Sequence, residues 1–90
     1  AVDESYEISD NEVIGRGKKC DISIADKYLS TKNSRIFKSS GKFYLEDLDS
    51  TNGTYLNGEA LSDKAVELLD GDKISVGRTN FLFVLPAKSE

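Results

Sequence analysis

The sequence predicts an all-β domain: a two-sheet antiparallel β-sandwich of about ten or eleven short strands. Three observations carry this. Short apolar segments recur roughly every eight to twelve residues. Turn pairs such as Ser40-Gly41, Asn57-Gly58 and Asp70-Gly71 lie between them. Helical periodicity is weak throughout. Only 61–69 could make a helical turn or two, and there Val66 with Leu68 fits a strand as well.

Residues 6–8 and 12–14 form short apolar segments around Asp10-Asn11. Segment 21–25 alternates, placing Ile22 and Ile24 on one face. Segments 34–38 and 42–47 flank Ser40-Gly41 as a hairpin, with Phe43 and Leu45 sharing a face of the second arm. Segments 54–56 and 59–61 flank Asn57-Gly58 as another. Segment 73–76 follows the turn at Asp70-Gly71. Segment 80–85 is apolar on both faces, which predicts a central, fully covered strand ended by Pro86.

Ninety residues predict a single domain over 1–90, with its core at about 6–86. The chain begins AVDES without a Met, so we expect a fragment of a larger protein. Hydrophobic residues at 38% and charged residues at 31% fit a soluble domain, and no apolar run approaches the ~20 residues of a membrane-spanning helix. Cys20 is the only cysteine. It can form no internal disulfide, reads as a small buried side chain, and points to a reducing, cytoplasmic compartment. There is no His, which removes Ser-His-Asp and Cys-His catalysis from this chain.

The net charge of −4 is unevenly spread. Between Gly15 and Lys42 there are eight basic residues against Asp21 and Asp26, a local +6; the rest carries −10. This is either a mixed, solvated surface or a basic patch for an anionic ligand. An acidic total argues against a nucleic-acid reader.

Three loops are richer than a turn requires. In IGRGKKCDI (14–22), Arg16 follows Gly15 at a strand end, where a backbone kink can aim the guanidinium out of the sheet. Its Gly-Lys is not a nucleotide-phosphate loop, since the upstream Gly and following helix are missing. In YLSTKNSRI (28–36), Leu29 and Ile36 anchor a run of small hydroxyls around Lys32. In DLDSTNGTYLNG (47–58), two Asn-Gly pairs lie five residues apart. Asp47 and Asp49 alternate with Thr51 like a calcium loop, but the Gly falls one residue late and Gly58 stands where the closing Glu belongs. The two acids are therefore read as turn chemistry.

The order IGR, DI, LS..N..I, STNGT, LNG and LLDGD.I..G resembles the forkhead-associated (FHA) domain over about 13–85. The resemblance implies a β-sandwich whose apical loops bind phosphothreonine peptides. It implies that Arg16 binds the phosphate and that the Ser30 hydroxyl bonds a phosphate oxygen, with Thr31 reaching it from the next position. Asn52 would bond the peptide backbone. Thr51 would help hold the loop and the threonine-methyl pocket, and Gly53 would permit the turn. Gly15 and Asn33 would support the loops. The family's loop His is Asn33 here, and Thr31 stands where a cation is common; an added strand before residue 6 is also usual. The expected function is a non-catalytic phosphothreonine-peptide reader in signalling or complex assembly. Its partner would be a protein phosphorylated by a Ser/Thr kinase. No cofactor, metal, nucleic acid or membrane insertion is expected, and the domain should be monomeric. The alternative is a degenerate FHA-like domain that binds protein surfaces without phosphate.

Overall fold

The computed structural model describes residues 6–85 and shows an all-β chain with nine strands in two sheets among them. These are β1 (Asn11–Gly15), β2 (Ile22–Ser23), β3 (Ser34–Ser39), β4 (Lys42–Asp47), β5 (Thr54–Leu56), β6 (Glu59–Ala60), β7 (Val66–Glu67), β8 (Lys73–Val76) and β9 (Thr79–Leu82). One sheet has the order β2-β1-β3-β4-β7 and the other β6-β5-β8-β9. Alternation decides which side chains face inward. In β3 and β4, Ser34, Ile36 and Leu45 are buried, while Phe37 and Tyr44 stack on the outer face at 5.5 Å. Ile14, Ile22, Leu29, Ile36, Leu45, Leu68, Ile74, Val76 and Phe83 form the core between the sheets. Full burial of a side chain such as Leu45 contributes roughly 1.5–3 kcal/mol.

The turns follow their residue chemistry. Asn57-Gly58 has positive φ at both residues (51° and 88°), as does Ser40-Gly41 (53° and 79°), the conformation of a two-residue hairpin. The other Asn-Gly pair differs: Gly53 has φ 88° but Asn52 has no positive φ. It belongs to a loop shaped by side chains, not to a simple hairpin.

Four details depart from expectation. Residues 6–8 form no strand; Tyr6 instead meets Phe81 edge-on at 6.2 Å. Segment 21–25 contributes only a two-residue strand, and it pairs with β1 in parallel. Segment 61–69 holds no helical turn but the short strand β7, which pairs with β4. Segment 80–85 is not a covered central strand. β9 ends at Leu82 and is the last of the described strands in its sheet, with Phe81 and Phe83 turned toward the core and Leu82 and Val84 more than 60% exposed. Apolar residues on both faces do not guarantee cover, because much folded surface is itself apolar. Pro86, expected to end this strand, and any strand before residue 6 lie outside the described residues.

Register brings six strand ends together. Ile14 pairs with Ser34, and Ser34 with Asp47. In the other sheet Thr54 pairs with Val76, and Val76 with Thr79. The chain leaving Gly15, entering Ser34, leaving Asp47, entering Thr54 and turning at 77–78 is therefore gathered at one end of the sandwich.

Candidate functional site

Loop 16–33 folds back on the end of β1. The Arg16 N–H donates to the Ser30 carbonyl at 3.0 Å, and the Gly17 N–H to the Thr31 carbonyl at 3.0 Å. The Cys20 thiol, half-buried rather than a core residue, donates to the same Thr31 carbonyl at 3.0 Å. Gly15 is required for this approach, though not for the kink expected of it: its φ is not positive. A Cβ at Gly15 would run into the Thr31 carbonyl. Arg16 thus has a fixed backbone and an exposed side chain, and among the described residues no ion pair or hydrogen bond holds its guanidinium.

Loop 48–53 is tied to the same place. The Thr51 N–H donates to Ser30 Oγ at 2.9 Å, with the two hydroxyls 3.4 Å apart. Ser30 Oγ accepts from the Thr51 N–H and donates to Thr51 Oγ1 over a long 3.4 Å, a bond that a stronger acceptor can displace. Asn52 donates from Nδ2 to the Tyr28 carbonyl at 2.7 Å. Its Oδ1 and second N–H remain for a ligand. Arg16, Thr31, Thr51 and Asn52 are exposed and Ser30 is half-buried. All five expected contact residues therefore lie at one end.

Beneath them runs a polar chain. Asn33 and Thr54 are fully buried. Asn33 Oδ1 accepts from the Ser30 N–H at 3.3 Å, and Nδ2 donates to Thr54 Oγ1 at 3.2 Å. Thr54 Oγ1 donates to Asp47 Oδ1 at 2.6 Å. Asp47 also accepts from the Ser50 hydroxyl at 2.5 Å and the Ser50 N–H at 3.1 Å, and Ser50 Oγ accepts from the Gly53 N–H at 2.9 Å. Partial burial alone would raise the Asp47 carboxyl; the bonds from Ser50 and Thr54 outweigh it and hold the pKa below its ordinary value.

A third tie was missed in the sequence. The Asp26 carboxylate accepts from the Tyr28 N–H at 2.8 Å, the Arg78 N–H at 2.7 Å and the Thr79 hydroxyl at 2.9 Å. The bond from Tyr28 is the main cause that holds its pKa below the ordinary carboxylate value. Asp26 two residues before Tyr28 is an Asx-turn spacing, which was a usable local signal. Nothing local pointed to Thr79.

The family model described as the FHA domain matches residues 12–77. An FHA domain-containing protein of Arabidopsis thaliana is 43% identical over 65 residues, covering 71% of this chain and 17% of that protein. A structure solved for phosphothreonine-dependent FHA domain interactions superposes with a TM-score of 0.85 at 27% identity, covering 92% of this chain and 85% of the other. The MEK1 FHA domain, solved with a phosphothreonine peptide of HOP1, gives 0.75 at 28% identity, covering 86% and 81%. The chain spans less than half the length of the curated relatives it matches.

Proposed function

The chain belongs to the FHA domain family, and from that membership we propose that it is a non-catalytic module that binds phosphothreonine peptides at the end formed by Arg16, Ser30, Thr31, Thr51 and Asn52. The observation that carries the proposal is the state of Arg16. Its backbone is anchored to Ser30, while its guanidinium is unpaired among the described residues. Fixed at the base and free at the tip, it can meet a phosphate with two parallel bonds.

A phosphothreonine brings about −1.5 to −2 charges and three acceptor oxygens. Arg16 supplies the fork, and the Ser30 hydroxyl donates to a third direction. Thr31 adds a hydroxyl without charge. Asn52 bonds the peptide backbone through Oδ1 and its remaining N–H. Each charge-assisted bond contributes roughly 1.5–3 kcal/mol, so a few of them select the phosphorylated form over a small contact area. The module would work as one domain of a longer intracellular protein, monomeric, on targets made by a Ser/Thr kinase. No residue here is assigned a catalytic, cofactor or metal role.

Titration calorimetry with one peptide in three forms tests this. The phosphothreonine form should bind, and the unphosphorylated form should not. Phosphoserine should bind more weakly because the methyl contact is lost. Equal binding of phosphorylated and unphosphorylated forms would put the phosphate-independent scaffold in its place.

A further inference from the structure

Beside the Asn52 amide lies a cationic platform that phosphate recognition does not use. Tyr28 is 37% exposed. The Lys27 ammonium lies 5.5 Å from its ring centroid and the Arg78 guanidinium 4.9 Å. These cations come from two loops about 50 residues apart, which the Asp26 carboxylate ties together. That carboxylate accepts from the Tyr28 N–H, the Arg78 N–H and the Thr79 hydroxyl, and its single negative charge leaves the two cations a net positive balance. Among the described residues neither Lys27 nor Arg78 forms an ion pair. Both cations lie close enough to this ring to attract a carboxylate that comes to rest beside it.

The platform adjoins the expected path of the peptide. Asn52 Nδ2 bonds the Tyr28 carbonyl at 2.7 Å, so a backbone held by Asn52 runs next to this ring. We infer that Lys27, Tyr28 and Arg78 bind an Asp or Glu side chain flanking the phosphothreonine, which makes the substrate class a phosphothreonine in an acidic context. This rests on the phosphothreonine reading above. Both cationic heads already lie near the Tyr28 ring, and Asp26 fixes the backbones of Tyr28 and Arg78, so little ordering remains to be done on binding.

The test is a positional scan. A phosphothreonine peptide with Ala flanks is compared with peptides carrying Glu, or Lys, at each flanking position in turn. With the wild-type chain, Glu at one position should tighten binding about threefold or more, and Lys there should weaken it. Arg78→Glu should invert the preference at that position only. Lys27→Gln should reduce the gain that Glu gives over the Ala-flanked peptide. A flat scan with phosphate dependence intact overturns the inference alone. So does an acidic preference that persists in Arg78→Glu, or in Lys27→Gln with Arg78→Gln should the charge reversal prevent folding. If the wild-type chain does not distinguish the Ala-flanked phosphopeptide from its unphosphorylated twin, the phosphothreonine reading fails and this inference falls with it.

Discussion

Asn33 and Thr54, 21 residues apart and both fully buried, are joined side chain to side chain at 3.2 Å. This bond links the Ser30 loop to the strand that leaves the Asn52 loop. Asn33, which stands where the family has a His, supports the loops in two directions: its Nδ2 bonds a side chain across the site, and its Oδ1 takes the Ser30 N–H of its own loop. Asn33→Ala strands the Ser30 N–H and removes a partner from Thr54. It should lower stability by roughly 1–3 kcal/mol in urea unfolding. Phosphopeptide affinity should fall with it, since Ser30 loses a support. Unchanged stability would deny the bond any weight.

How much of this was legible depended on distance along the chain. The hairpins at Ser40-Gly41 and Asn57-Gly58 were legible because φ is decided by adjacent residues. Asp47 as turn chemistry was legible for the same reason, with Ser50 three residues on. The bond from Asn33 to Thr54 and the tie from Asp26 to Thr79 were not, because no local pattern marks a partner 21 or 53 residues away. The parallel pairing of β2 escaped notice since alternation reveals a face but not a direction. Segment 80–85 misled because its outward residues, Leu82 and Val84, are apolar without being covered. The proposed contact residues Arg16, Ser30 and Asn52 each read alone as ordinary loop residues; only their order, through the family resemblance, singled them out.

Arg16 should dominate phosphate affinity, because Thr31 beside Ser30 carries no charge. Arg16→Ala should lose at least about 2 kcal/mol of binding in calorimetry, without loss of stability, since its side chain is exposed and its guanidinium is unpaired among the described residues. Arg16→Lys should recover only part, as a point charge cannot reproduce the fork. Thr31 is exposed, so Thr31→Arg is tolerated sterically and should tighten binding while steepening its dependence on salt. Binding that survives Arg16→Ala intact would remove the phosphate from this site.

Gly15→Ala tests the loop's approach to β1. The added methyl meets the Thr31 carbonyl and Cys20 Sγ, and the carbonyl is backbone that cannot swing aside. Overpacking of this kind costs roughly 1–3 kcal/mol. The loop must shift, which breaks the bond from the Arg16 N–H to Ser30 and misplaces the guanidinium. Both the urea midpoint and phosphopeptide affinity should drop. Gly58→Ala serves as the contrast: nothing lies within 4 Å of a Cβ there, though φ is 88°. It should lower stability and spare affinity.

Acid should unfold this domain partly through Asp47 and Asp26, whose pKa values are both held below the ordinary carboxylate value near 3.9. The sign follows from proton counting. Between the folded pKa and about 4, the unfolded chain binds more protons than the folded one, so stability rises with pH there. The contribution is complete above the unfolded value and is lost as pH falls through the folded one. The urea midpoint should therefore hold from pH 7 to 5 and decline below about pH 4. Asp47→Asn should be less stable at neutral pH by roughly 1–2 kcal/mol, because an amide offers the Ser50 and Thr54 donors one acceptor oxygen in place of two. It should also lose stability less steeply below pH 4. Phosphopeptide binding should respond in a different window. The phosphate's second pKa is about 6, and the chain has no His, so affinity should weaken between pH 7 and 5 while the fold stays intact. An Asp47→Asn variant with the wild-type acid slope would show that the carboxylate's bonds to Ser50 and Thr54 do not stabilise the charged form.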